Sequence, residues 1–280
     1  MDLVRSIVEG KTEVSREDIR HLTGKIRDLY HDKNNVEEIP SKNVIFVGDL
    51  HGEYDCISSV RDLFKKYKNH TFVFLGDYAD RGPAQIETFN LVMALALLEP
   101  ERVLMLRGNH ESDETAQKYG FYSEVTRVHS FDVYGYYLDV FQVLPLAAIG
   151  EGVFACHGGV PEGVTTLEDI QTPNRFHLNF PDEVLFQLAW NDPKEADFRF
   201  AANSRGNRVK AFGRKAFDEF SERFGIEKFI RAHEVAPDGI RTFFDDRLIS
   251  VFSASSRGRS NPKVVRLGAA LSIEPIEIQV

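Results

Sequence analysis

Apolar residues along the chain switch between two spacings. Over 15–31, Ile19, Leu22, Ile26 and Leu29 recur at helical intervals, and Ser15 with Asp18 forms a capping box at the start. A polar stretch, HDKNNVEEIPS, follows and reads as a linker. NVIFV at 43–47 reads as a short buried strand. Tyr54, Ile57, Val60, Leu63, Phe64 and Tyr67 then share one face of a helix over 54–67. TFVFL at 71–75 is a second strand, and Pro83 suits the first turn of a helix running towards Glu99. Pro100 ends that helix, and RVLML at 102–106 is a third strand. Short apolar strands alternating with helices predict parallel pairing in an α/β layer fold.

The second half is less regular. Residues 112–146 are mostly helical and aromatic-rich, a helical subregion. VFACHGG at 153–159 is another strand running into a loop. The stretch 161–208 is rich in turns, with a short helix near 182–189, and 212–224 reads as helix. KFIRAHE at 228–234 begins as a strand, and IRTFF, LISVFSAS, KVVRLGAA and LSIEPIEIQV read as mainly antiparallel strands of a second sheet. The expected architecture is α/β: two facing sheets flanked by helices, in a single domain over 1–280.

Composition narrows the class. A chain of 280 residues, 42% hydrophobic, can bury a sizeable core. Asp plus Glu number 43 against 34 Lys plus Arg, a formal net charge of −9, which argues against a nucleic-acid partner. Two cysteines make no disulfide scaffold. The N-terminal segment has no signal-peptide pattern, and the longest apolar run, LVMALALL, is too short to span a bilayer. These features predict a cytoplasmic protein without a membrane partner.

Polar chemistry collects where the strands end. The first three are followed by Asp49 and His51; by Asp77, Asp80 and Arg81; and by Asn109, His110 and Glu111. If those strands are parallel, all three loops emerge at one sheet edge, where open α/β sheets place ligands. Two later strands add His157 and His233. Taken singly, Gly-Asp after a strand also fits a turn, and each histidine fits a structural role. Their joint recurrence singles out Asp49, His51, Asp77, Asn109, His157 and His233 as an oxygen and nitrogen ligand set suited to manganese, iron or zinc. Asp77 is the natural bridge between two divalent ions, which could activate a water for phosphoryl transfer.

The phrases GDLHG, GDYADRG, GNHE, HGG, LAWNDP, SRGNRVKAFG and IRAHE, in this order, closely resemble the serine/threonine phosphoprotein phosphatase (PPP) family of calcineurin-like metallophosphoesterases. The resemblance covers roughly 41–269. It implies that Asp49, His51 and Asp77 bind one metal and that Asp77, Asn109, His157 and His233 bind the other. By the same resemblance His110 is the general acid, Asp80 orients it, and Arg81 and Arg205 hold the phosphate. The implied activity is direct hydrolysis of phosphoserine and phosphothreonine in proteins, with manganese the expected metal and any regulatory subunit unspecified. Arg107, Glu111 and Asp192 are expected behind these residues, in supporting roles. Rival readings are a dinucleoside tetraphosphate hydrolase, another phosphodiesterase, or a non-catalytic binding module.

Two departures stand out. Ala79 replaces the usual valine of GDYVDRG. FSASSRGRSNP at 252–262 lacks the family's Pro-Asn-Tyr-Cys element, which makes inhibition by toxins that use that element doubtful. Arg257 and Arg259 there are candidate contacts to a phosphopeptide, or else lie on a solvated loop. The compact form points to a prokaryotic or archaeal type of member.

Overall fold

A computed structural model describes residues 2–280. In chain order its first half comprises α1 (Asp2–Val8), α2 (Arg16–Tyr30), β1 (Val36–Glu38), β2 (Val44–Val47), α3 (Tyr54–Lys66), β3 (Thr71–Phe74), α4 (Gln85–Leu98), β4 (Val103–Met105), α5 (Asp113–Tyr119), α6 (Phe121–Val128) and α7 (Phe131–Val143). Then come β5 (Ala147–Gly150), β6 (Val153–Cys156), α8 (Glu168–Gln171), α9 (Glu183–Trp190), β7 (Asp192–Pro193), β8 (Phe200–Asn203), β9 (Gly206–Phe212), α10 (Arg214–Phe224), β10 (Lys228–Arg231), β11 (Ile240–Phe243), β12 (Leu248–Val251), β13 (Lys263–Leu267) and β14 (Ile273–Glu277).

The β2-α3-β3-α4-β4 unit forms as its periodicity predicts, with β2, β3 and β4 parallel and in order. All four residues of β2 are buried, the signature of a strand covered on both faces. The cap on α2 is reciprocal: the Asp18 backbone N–H donates to Ser15 Oγ at 3.1 Å, and the Ser15 N–H donates to the Asp18 carboxylate at 3.0 Å. α4 is buried nearly all round; it packs against α1, α2 and α3. LVMALALL therefore lies in an internal helix, which begins at Gln85, two residues after Pro83, rather than at it. Among the described residues, no helix is long and apolar enough to cross a membrane.

A five-stranded sheet has the order β14-β13-β2-β3-β4, and a six-stranded sheet the order β1-β5-β6-β10-β12-β11. One apolar core is shared between them, running from Phe46, Phe72 and Val265 to Ala155, Ile230 and Val251. The outer face of the larger sheet packs a second cluster, including Phe154, Phe217 and Phe229, under α9 and α10.

Three details differ from the sequence reading. β13 and β14 join the first sheet, β13 antiparallel to β2, rather than forming a second one. Within the larger sheet, β10 pairs parallel with both β6 and β12. Alternation shows which residues face inward but not which sheet edge is free to accept a strand. The expected linker at 31–41 also holds β1, parallel to β5. Val36 is its only buried residue, so its pairing is made by backbone and leaves no apolar run to read.

Candidate functional site

Tight glycine approaches bring the β3 and β4 loops together. Gly76 has φ +106°, and a Cβ there would lie 2.3 Å from the Gly108 backbone nitrogen. The same addition at Gly108 would lie 2.3 Å from Asp77 Oδ1. Glu111 clamps the two loops: its carboxylate accepts the N–H groups of Asp77 at 2.8 Å, Tyr78 at 3.0 Å and Gly108 at 2.8 Å. Burial, then Asp77, pushes this carboxyl up to about 7, against three donors that favour the ionised form.

The first sheet delivers Asp49, His51, Asp77, Asp80, Arg81, Asn109 and His110; the second delivers His157 and His233. The sheets meet here, where Asp49 makes a parallel bridge with Phe252 and its Oδ1 accepts the His233 N–H at 2.9 Å. His51, Asp77, Asp80, Arg81 and His233 all have φ between +45° and +73°. Each left-handed non-glycine costs about 1 kcal/mol or more. Five of them at one place mark where the fold holds side chains in set directions.

The histidine tautomers follow from their outer hydrogen bonds. His51 Nδ1 donates to the Ala79 carbonyl at 3.0 Å, which turns the Nε2 lone pair towards Asp49 and Asp77, each 3.6 Å away. His157 Nδ1 donates to the Leu75 carbonyl at 3.0 Å, so its Nε2 faces Asn109 Oδ1 at 2.8 Å and Asp77 Oδ1 at 3.3 Å. His233 Nδ1 joins them, 2.9 Å from Asn109 Oδ1 and 3.2 Å from His157 Nε2.

Lone pairs facing lone pairs in a buried site require a positive charge between them. Asp49 Oδ2 is buried with no hydrogen-bond partner, and burial, then Asp77, pushes its carboxyl up to about 6. Burial alone would raise Asp77 too, but His157, His110 and His51 outweigh it and hold that carboxyl well below the usual range. Burial, then His110, pushes His51 down to about 3, leaving a neutral ligand. The groups fall into two clusters that could each hold a cation, His51–Asp77–His110 and Asp77–His157–His233, with ligand atoms within 4.8 Å of one another. Asp77 belongs to both, the place expected of a bridge. Asp49 lies alongside the first, and His110 enters it as well. The donor set, all oxygen and imidazole nitrogen, fits two divalent ions.

Around these clusters stand the remaining candidates. His110 Nδ1 lies 2.6 Å from Asp80 Oδ2, whose Oδ1 accepts the Phe121 N–H at 2.8 Å. Burial would lower His110, but Asp77 and then Asp80 outweigh it and raise its pKa. Arg81 Nη2 is 3.3 Å from His110 Nε2, so guanidinium and imidazole address one point. Arg205 sits just after β8, its Nε donating to Asp192 Oδ2 at 2.8 Å. Asp192 also accepts from Asn203 at 2.9 Å and from fully buried Arg231 at 3.2 Å, which makes it the post that braces Arg205. Arg107 is buried too, but spends its guanidinium on the carbonyls of Glu111, Arg175, His177 and Leu178.

Two residues at the site have no role assigned from sequence, although Trp190 belongs to the quoted phrase LAWNDP. The Tyr119 ring lies 4.8 Å below Arg81 and 5.0 Å from His110, and Trp190 packs 5.7 Å from His233. Each is the last residue of its helix, α5 and α9, and only the tertiary fold turns it to the site.

Comparison with known proteins agrees with this arrangement. Residues 42–237 match the model of the calcineurin-like phosphoesterase family. The chain is 34% identical to a protein phosphatase 2A catalytic subunit of Dictyostelium discoideum, over 84% of this chain and 76% of that protein. It is 31% identical to the serine/threonine-protein phosphatase 4 catalytic subunit of Saccharomyces cerevisiae, over 90% of this chain and 81% of that one. A solved protein serine/threonine phosphatase from Saccharomyces cerevisiae, described as similar to human phosphatase PP5, superposes with a TM-score of 0.87 at 26% identity, covering 97% of this chain and 92% of that one. A chain with these loops, this ligand cluster and these relatives belongs to the calcineurin-like phosphoesterases and, within them, to the serine/threonine phosphoprotein phosphatases.

Proposed function

We propose that this protein is a metal-dependent serine/threonine protein phosphatase acting on phosphoproteins. The observation that carries this reading is the shared carboxylate Asp77, standing between two buried His/Asp clusters beside Arg81 and His110. Two divalent ions held by Asp49, His51, Asp77, Asn109, His157 and His233 would activate a water and neutralise phosphate charge, and manganese is the proposed pair.

The protein groups then have distinct tasks. Arg81 and Arg205 offer forked donors to the equatorial phosphate oxygens. Asp192, by holding Arg205 through Nε, leaves its terminal nitrogens for the phosphate. His110 delivers its Nε2 proton to the departing serine or threonine oxygen, while Asp80 keeps Nδ1 protonated and the ring aligned. The raised pKa of His110 suits a group that must carry that proton. The relatives named above are protein phosphatases, which supports the same substrate class.

Cytoplasmic location goes with two buried, unpaired cysteines, Cys56 and Cys156; subcellular fractionation tests it. The prokaryotic or archaeal type expected from sequence finds no support among the relatives, whose sources are eukaryotic.

Initial rates on a phosphothreonine peptide and on a dinucleoside tetraphosphate, with metal-stripped protein and manganese restored, test the function. Peptide turnover that returns with manganese is expected. A strong preference for the nucleotide would overturn the substrate class.

A further inference from the structure

A groove of about 520 Å³ opens directly beside the site, lined by His51, Arg81 and Tyr119 on one wall and by Ser256, Arg257 and Arg259 on the other. Its second wall is the segment that departs from the family pattern. That segment is built rather than loose. Glu53 accepts the N–H groups of Ser255 at 2.7 Å and Ser256 at 2.8 Å, and Ser260 Oγ donates to the Ala236 carbonyl at 2.5 Å. Ser256, Arg257 and Gly258 follow one another at φ +50°, +59° and +78°. Two consecutive non-glycines in this region carry a conformational cost, and the Glu53 clamp offsets it.

The held conformation has a consequence for charge. Arg259 is partly engaged, its Nε and Nη2 donating to the Ser256 carbonyl at 3.0 Å and hydroxyl at 2.9 Å. Arg257 is exposed and has no hydrogen-bond or ion-pair partner among the described residues. Glu53, the only carboxylate lining the groove among the described residues, is occupied by backbone donors. A chain of net charge −9 thus presents three arginines in one groove, among them Arg81, which lies beside His110.

We propose that Arg257, supported by Arg259, is a specificity-determining residue that binds acidic side chains of the substrate polypeptide flanking the phosphorylated residue. This rests on the protein phosphatase reading and adds a substrate class to it. A phosphate drawn to Arg81 leaves the adjoining peptide beside the second wall, where carboxylates find unpaired guanidinium donors. Serine or alanine at those flanking positions finds no such partner.

The test uses manganese-loaded protein and three phosphothreonine peptides: neutral flanks, acidic residues on the N-terminal side, and acidic residues on the C-terminal side. The expected result is kcat/KM higher by about five- to tenfold for one acidic peptide over the neutral one, the size two partly exposed charge pairs produce. That ratio should shrink as salt is raised. In Arg257→Glu it should fall to one or below, and in Arg257→Ala to an intermediate value. Equal turnover of all three peptides by the unaltered protein overturns the proposal and leaves the phosphatase reading intact. A variant that slows neutral and acidic peptides alike also overturns it, because Arg257 then acts through the fold or the chemistry. If only a dinucleoside tetraphosphate is hydrolysed, and Arg257→Glu slows that, the groove serves a nucleotide's distal phosphates and both readings fall.

Discussion

His110 shows how much single residues decide at this site. It is buried, its Nδ1 is held by Asp80 at 2.6 Å, and its Nε2 lies 3.3 Å from Arg81 Nη2. Histidine to asparagine at 110 should lower kcat on a phosphoserine peptide by about 10²- to 10⁴-fold, the range of acid catalysis. With p-nitrophenyl phosphate, whose leaving group needs no proton, the loss should be much smaller. Equal losses on the two substrates would remove the general-acid role. Nine of the ten candidate residues follow a strand that the sequence shows, in phrases of fixed order, and Arg205 is named only through the family resemblance, since β8 before it shows no apolar run. The structure adds what holds them: backbone carbonyls at Ala79 and Leu75 set the imidazoles of His51 and His157. No sequence pattern announces such acceptors, since every residue has a carbonyl. Tyr119 went unread for a related reason, as a helical tyrosine shows nothing in sequence of what lies above its ring.

At the scale of elements, local signals were most reliable where they were self-contained. The capping box of α2 was written in four residues, and it forms as written. Ser15→Ala should therefore destabilise the protein by about 1 kcal/mol, seen as a lower midpoint in urea with an unchanged slope. A wild-type midpoint in that variant would show that the packing of α2 on α7 and α4 holds the helix start without its cap. Elements that depend on a distant partner were harder to see. β1 has one buried residue, and β8 and β9 expose much of their surface, so none shows the apolar run that marks a covered strand. β13 and β14 read as strands of a second sheet, whereas they extend the first. The deciding fact was the open edge of β2, which exists only once the parallel unit has formed.

For the whole molecule, the site lies where two sheets meet, so its ligands link parts of the chain far apart in sequence. Asp49 and His233 are joined by one hydrogen bond across that meeting. Metal should therefore stabilise the fold as well as enable turnover. Manganese at about a hundred times its Kd contributes about 2.7 kcal/mol per site, a rise in Tm of at least about 5 °C over chelator-treated protein. The rise should be larger at pH 7 than at pH 5. Asp49, pushed up to about 6, and His157, also raised, must both lose their protons to serve as ligands. Asp77→Asn should lose most of that rise and most turnover, and metal analysis should find fewer than two ions per chain. A full complement of ions in that variant would exclude the bridge. The sequence by itself determined the β-α-β-α-β unit, the candidate residues and the chemistry they suit, because periodicity and strand-end phrases are local. Only the tertiary structure decided which edge β13 takes, which way each imidazole points, that Asp192 braces Arg205, and that Arg257 faces the groove beside Arg81. Those depend on which surfaces remain free after the local elements have formed, and no local pattern encodes them.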